Sequence, residues 1–505
     1  MRIIYFFRQI LLHDFERVLR YQRNHGTRAL IRELDHRLKN KFLFYGLAYR
    51  LKTGTWVNRL ANRLKPAPVK SQDPALPAVL HQDDSTWLNR LANRLNPAPV
   101  RVQDPALPAA LHHDDSGWVS GREMAQKHHQ HCAPLRLFRI PGALPRRISL
   151  VTDSINRGSL YGGVGTSIIM AALAAQAMRV RLRIVTRTEP ANPEGLRIVL
   201  RTYGLTLPYE VEFVHAPFHD IGYEIDAFDD ELFITTSWWT TAATLASVRS
   251  ESIVYLLQED ERMFYPYGDE HLRCSQILGN NDIRFVINTK LLFDHLVSSG
   301  LTNVAAKGLW FEPAFPHEVF RPGPREPGGK LKLLFYARPF NTRNLFYFGI
   351  EVLEAAIARG IVDLDVWDIA FVGKDIPRLR LHEGSYTPKR LENLSWTDYA
   401  QLAGQTDLAL SLMYTPHPSY PPLDMAASGA VVVTNQFSSK RSLASYSNNI
   451  ICGDLNLKSM LEAMARGVEL ALDTEQRTRN YEANQLGRVW QTSFAGVLQR
   501  FTSPH

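Results

Sequence analysis

Two arginines, Arg338 and Arg343, stand five positions apart in the run Tyr336-Ala337-Arg338-Pro339-Phe340-Asn341-Thr342-Arg343-Asn344, where an apolar strand pattern gives way to a helical one. Guanidinium groups at such a junction can hold a diphosphate by bidentate, charge-assisted hydrogen bonds, helped by the free amides of a helix start. A second run, Ser411 to Gly429, places Ser419, Tyr420, Pro421, Pro422 and Asp424 at the beginning of another helix. Amides around Ser419 and Tyr420 would face a phosphate, and the Asp424 carboxylate would accept hydrogen bonds from a ribose-type hydroxyl. The competing role for Asp424 is to stabilise its own helix terminus.

The first half of the chain supplies a complementary set. Gly162-Gly163-Val164-Gly165 precedes the helix pattern Ser167–Met178. Such a turn lets backbone approach a phosphate or an acceptor closely, although a plain tight turn uses the same residues. Glu259 and Asp260 follow the strand pattern Ile253–Leu257, which puts both carboxylates at a sheet's carboxyl edge. There they would orient or deprotonate an acceptor hydroxyl, or else form structural salt bridges. His417 and His215 lie at similar edges.

Other groups are weaker candidates. His128, His129, His131 and Cys132 offer metal ligands, but in a low-complexity stretch where adventitious affinity is expected rather than a built site. Asp363-x-Asp365 falls at a sheet's amino edge, away from any cleft. No metal and no cofactor is therefore expected. Neither first strand carries G-x-G-x-x-G with an acidic residue about 20 positions on, which argues against a nicotinamide enzyme.

These groups need a scaffold. With 505 residues, 45% of them hydrophobic and 21% charged, the chain has material for two large domains and is not globally disordered. From Arg147 onward, buried-strand patterns (Ile148–Thr152, Leu182–Thr186, Val211–Val214, Leu232–Thr235, Ile253–Leu257, Phe285–Asn288) alternate with helical ones. A Pro-rich break from Phe311 to Pro327 comes next, and the alternation restarts at Lys332–Tyr336 with strands at Ile369–Val372, Leu408–Leu412 and Val431–Thr434. This predicts an α/β protein with two doubly wound parallel sheets, residues 146–318 and 319–485, facing each other across a cleft. Helices over Leu457–Leu472 and Glu475–Arg500 end the pattern, with residues 486–505 expected to pack back on the first domain.

The N-terminal extension reads differently. Residues 1–147 carry 25 Lys/Arg against 11 Asp/Glu, whereas the remainder carries 33 against 39, so the main body is not a nucleic-acid binder by charge. Within residues 1–50, Ile4, Phe7, Leu11, Phe15 and Val18 recur at helical spacing among arginines, which suits a helix lying on an anionic membrane surface or packed on the body. Thr55–Ser85 recurs as Thr86–Ser116 with 25 of 31 positions identical, and its Pro-Ala-Pro and Asp-Pro joints read residues 51–145 as a spacer. Three cysteines, Cys132, Cys274 and Cys452, with no paired spacing, point to a reducing cytosol.

Taken together in this order, the motifs from about Arg147 onward resemble the GT-B glycosyltransferases of family 4, and among them the WsaF-type rhamnosyltransferases of bacterial surface glycans. The resemblance rests on Arg338 with Arg343, on Pro421-Pro422-Leu423-Asp424-Met425-Ala426-Ala427-Ser428-Gly429, and on Gln258-Glu259-Asp260-Glu261-Arg262-Met263-Phe264-Tyr265-Pro266. It implies a retaining, metal-independent transfer of a sugar from a nucleoside-diphosphate donor, with dTDP-L-rhamnose leading, to a hydroxyl of a growing glycan, free or lipid-linked. Family 4 usually carries a Glu-x7-Glu pair; here the second position is Asp424 and the first is Pro416, and an Arg stands at 343 in place of the usual Lys. A non-catalytic glycan- or nucleotide-sugar-binding scaffold is the alternative from a different class.

Overall fold

The computed structural model describes residues 119–140, 147–156, 160–324 and 328–502. The amphipathic segment 1–50 and the tandem repeat lie outside the described residues. Two all-parallel sheets organise the body of the chain. The first has seven strands in the spatial order Glu212–His215, Arg181–Thr186, Arg147–Thr152, Leu232–Thr235, Ile253–Leu257, Arg284–Asn288, Leu309–Phe311. The second has six, in the order Lys389–Glu392, Trp367–Gly373, Leu331–Ala337, Leu408–Leu410, Val431–Asn435, Ile450–Gly453. Both lobes belong to one compact unit. This is the GT-B arrangement expected from the sequence, two Rossmann-like lobes with a cleft at the carboxyl ends of their strands.

The continuous apolar runs become central strands because helices cover both faces of each sheet, which leaves no solvent side for alternation to record. The Ala-rich helix Gly165–Met178 is apolar all round, and eleven of its residues are buried. That fits its position between the first sheet and the end of the chain, where Trp490, Phe494 and Val497 join the same core and Phe494 lies 4.2 Å from the ring of Phe311. The return of the C-terminus to the first lobe requires a break that helix periodicity does not show. The expected helix Glu475–Arg500 is instead Thr474–Glu482, an irregular passage, then Trp490–Ser493 and Ala495–Thr502. In the passage the Gly487 carbonyl accepts from the Phe315 amide at 2.7 Å, and the Arg488 guanidinium donates to the Phe315 carbonyl at 3.0 Å. Arg488 and Gly487 thus tie the crossing to the Pro-rich linker.

The spacer gives way to the first lobe earlier than residue 145. Gly121–His128 is a helix, and Leu137–Ile140 pairs in parallel with Ile225–Phe228 as a small separate sheet. At the amino edge of the large first sheet, Glu231 is 1% exposed and accepts from Arg147 Nη2 at 3.0 Å, Arg183 Nη2 at 2.6 Å and the Phe228 amide at 3.1 Å. No described helix is long and apolar enough to cross a membrane.

Candidate active site

Every strand of each sheet runs in one direction, so loops leaving the carboxyl ends of both sheets meet. Arg343 lies in a short 3-10 turn after the strand Leu331–Ala337, and its Nη1 donates to Glu259 Oε2 across the cleft at 2.8 Å. Its guanidinium also lies 4.3 Å from the ring centre of Phe264. The other Glu259 oxygen accepts from the Thr415 hydroxyl. Burial pushes the Glu259 pKa up, against the downward pull of Arg343, Thr415 and Lys440. Arg338 behaves differently: the residue is exposed, whereas Arg343 is half-buried in its pair with Glu259.

Asp260 points elsewhere. It takes a fork from Arg262, Nε to Oδ1 at 2.8 Å and Nη2 to Oδ2 at 2.7 Å, while His295 Nε2 stands 3.1 Å from Oδ2. Burial alone would raise its pKa, but the bonds from His295 and Arg262 prevail and hold it at about 2. A carboxylate so stabilised is a weak base, and its structural role is to tie Arg262 and the helix Lys290–Ser298 together.

The loop Ser411–Ser419 is fixed by Asn435, whose Oδ1 accepts from the Met413 amide at 2.8 Å while its Nδ2 donates to the Met413 carbonyl at 3.0 Å. Ser419 closes the loop with φ +70°, a left-handed backbone that a non-glycine residue adopts at a cost of about 1–3 kcal/mol. Its amide donates to His417 Nδ1 at 2.9 Å. The proton of this neutral imidazole therefore sits on Nε2, which is buried without a hydrogen-bond partner. Burial, with Lys440 and Arg343 adding to it, lowers the His417 pKa to about 3, so the ring is a neutral donor. The next helix, Tyr420–Ala427, has prolines at its second and third positions. With the Ser419 amide already used, the expected phosphate cradle of amides reduces to the single N–H of Tyr420.

Lys440 is the residue that sequence patterns did not single out. Its side chain is 0% exposed, and its ammonium has no hydrogen-bond partner. Burial lowers its pKa to about 8, against the upward pull of Cys452 and Glu259. Arg343 and Lys440 therefore share one neighbourhood with His417, since both lower its pKa, and both also pull down that of Glu259, the counter-charge. Lys440 follows the strand Val431–Asn435 by five positions, so asking which cations follow each strand's carboxyl end would have found it.

The first lobe's glycine loop meets Tyr420. Gly162 has φ +65°, and a side chain there would begin 3.7 Å from the Tyr420 ring. The Tyr420 hydroxyl lies 2.5 Å from Thr166 Oγ1 and accepts from Asn288 Nδ2 at 2.9 Å. The Gly163 carbonyl accepts from Gln258 Nε2 at 2.7 Å, and Gly165 begins the buried helix. Gly162 thus lets the second lobe's Tyr420 approach, while a side chain at Gly163 would begin 3.1 Å from Gln258 Nε2.

Asp424 sits one turn deeper in its helix than the first-turn position expected. It is 5% exposed and accepts from the Tyr399 hydroxyl at 3.1 Å, and burial raises its pKa to about 8 in spite of that bond. Asp153 is another carboxylate without a sequence signal beyond its place after the first strand. Both its oxygens lie 3.0 Å from Trp239 Nε1, and burial raises its pKa. His215 Nδ1 faces the Thr186 carbonyl at 3.2 Å, and Asp363 Oδ1 accepts from the Asp365 amide at 2.8 Å.

Comparison with known proteins agrees with this architecture. The region 147–289 matches the family model of the WsaF N-terminal domain, and 331–465 matches that of the WsaF C-terminal domain. The O-antigen biosynthesis protein RfbC of Myxococcus xanthus is 29% identical over 276 residues, a span covering 54% of this chain and 20% of that protein. The chain thus spans about a fifth of that relative's length. Among solved structures, sucrose-phosphate synthase of Thermosynechococcus elongatus is 12% identical with a TM-score of 0.48, covering 70% of this chain and 98% of that one. Anabaena HepE, crystallised with UDP and glucose, is 11% identical with a TM-score of 0.47 over 71% and 99% of the two chains. With both of its domain models matched in order across the two lobes, the chain belongs to the WsaF family.

Proposed function

We propose that this protein is a retaining glycosyltransferase that moves a sugar from a nucleoside-diphosphate donor to a hydroxyl of a bacterial surface glycan. The observation that carries the reading is the pair of buried, unpartnered donors, Lys440 Nζ and His417 Nε2–H, beside Arg343 at the meeting of two sheet edges. Buried donors without acceptors are costly, and an incoming diphosphate would satisfy all three groups at once. Arg343 would exchange the Glu259 carboxylate for a phosphate, freeing Glu259 to orient the acceptor hydroxyl.

In the transfer step the anomeric carbon–oxygen bond to the diphosphate breaks, and negative charge builds on the leaving phosphate. Arg343, Lys440 and His417 would stabilise that charge electrostatically, so no divalent ion is needed at the diphosphate. The acceptor oxygen forms its bond on the same face as the leaving group, and the departing phosphate takes the acceptor's proton. With Asp260 held at about 2 by its partners, this route asks no strong base of that residue.

Membership of the WsaF family supports dTDP-L-rhamnose as donor, and the basic residues 1–50 suit contact with anionic lipid at the site of glycan assembly. A panel of nucleotide sugars, ranked by thermal shift and then carried to product analysis on a glycan acceptor, tests the reading. dTDP-L-rhamnose is expected to give the largest stabilisation and a product with retained anomeric configuration. Binding without transfer to any acceptor would favour a scaffold, and an inverted product would defeat the same-face route.

A further inference from the structure

Metal-ligating side chains converge away from the cleft, where the chain enters the first lobe. Ser120 caps the helix Gly121–His128 by accepting from the Glu123 amide at 3.1 Å, and the helix leads through His129 into the 3-10 turn Gln130–Cys132. His128, His129 and His131 leave this corner on adjacent turns. Facing them is Glu270, in the first turn of the helix Asp269–Leu278. His128 Nε2 lies 3.5 Å and His129 Nδ1 3.3 Å from Glu270 Oε1, and His131 Nε2 lies 3.5 Å from Oε2.

These separations are too long for good hydrogen bonds, whose usual range is about 2.7–3.2 Å. His129 Nδ1 and Glu270 Oε2 are in fact buried without a hydrogen-bond partner. They match another geometry. Nitrogen and oxygen ligands held about 2.0–2.1 Å from a tetrahedral zinc ion lie roughly 3.3–3.4 Å from one another, the edge of the tetrahedron. The ligand atoms of His128, His129 and Glu270 all fall within 4.8 Å of each other. Cys132 packs instead against the apolar cluster around Trp238 and Cys274.

We infer that His128, His129 and Glu270 bind a divalent transition metal with zinc's preference for imidazole and carboxylate. His131 steadies the carboxylate through its second oxygen, as outer-sphere groups do in such sites. The fourth position is left to water, and the ion clips Gly121–Cys132 to the helix Asp269–Leu278. The His131 ring also stands edge-on to Trp238, with centroids 5.4 Å apart, which links the clip to the helix Trp238–Leu245. The sequence alone shows the histidines without their carboxylate, because Glu270 lies far along the chain. The site is separate from the proposed diphosphate site and does not depend on it.

The full chain, purified without a histidine tag and stripped by chelator, is titrated with zinc or cobalt(II) alone. One equivalent is expected to bind, to raise the thermal midpoint, and to protect residues 121–132 from hydrogen exchange. His129→Ala and Glu270→Gln should weaken binding by roughly 100-fold or more, and His131→Ala by about 10- to 100-fold, the scale for an outer-sphere partner. The exchange measurement needs no variant, so a misfolded substitution leaves the test intact. Absence of stoichiometric binding, undiminished uptake by Glu270→Gln, or zinc binding that leaves residues 121–132 unprotected would each overturn the site.

Discussion

Arg343→Ala is expected to lower kcat/KM for glycosyl transfer by about 100- to 1000-fold, the loss that attends removal of one charge-stabilising donor from a site where anionic charge develops. One face of the guanidinium lies on Phe264 and one nitrogen holds Glu259, a carboxylate that a phosphate can replace. Lys440 and His417 would remain in the variant, so residual transfer should persist. Arg343→Lys should recover part of the loss, because charge returns without the planar fork. Arg338→Ala should cost less than Arg343→Ala, since Arg338 is exposed whereas Arg343 is the arginine that bonds Glu259. Steady-state kinetics with the best donor, alongside thermal midpoints to confirm folding, make the comparison. Transfer by Arg343→Ala within about threefold of the unmodified protein would remove the arginine from the chemistry.

Glu231→Ala should destabilise the first lobe by about 3–5 kcal/mol, as expected when one member of a buried ion network is deleted and the others are left uncompensated. The carboxylate is fully buried and joins Arg147, 6% exposed, to Arg183, 0% exposed, while Ser149 donates its hydroxyl at 2.5 Å. Without it the two guanidiniums keep Asp226, at 2.8 and 3.0 Å, and the half-exposed Glu212. A drop in the thermal midpoint of roughly 6–20 °C is expected for a lobe of this size. Because Arg147 and Glu231 lie at the amino edge of the sheet, donor affinity measured well below the midpoint should be unchanged. A midpoint within about 2 °C of the original would show that the network adds little to folding.

The strands that carry the site were legible because parallel strands buried on both faces write themselves as unbroken apolar runs, as in Ile253–Leu257 and Val431–Asn435. Two edge strands did not. Lys389–Glu392 is Lys-Arg-Leu-Glu, and Leu309–Phe311 has three residues, so neither has enough apolar length to stand out from a loop. The alternation also could not show where helix Glu475–Arg500 must break, because the cause is a tertiary contact with the linker at Phe315. In the site, Arg343, Glu259, Tyr420 and the glycine loop could be named because each sits directly at a strand end or helix start. Lys440 offered only its place five positions after a strand's end: a lysine in a polar turn looks solvated, and the packed cleft is what shows its ammonium buried. Glu231 and its arginines were hidden in the same way, as were Asp153 and the carboxylate opposite the histidine corner.

The decisive experiment is a structure of the protein with a nucleoside-diphosphate sugar bound. The diphosphate is expected within hydrogen-bond distance of Arg343, Lys440 Nζ and His417 Nε2, with the Arg343–Glu259 contact broken. A donor lodged elsewhere, with that contact intact and the Lys440 and His417 donors still unanswered, would show that these groups do not bind the leaving group.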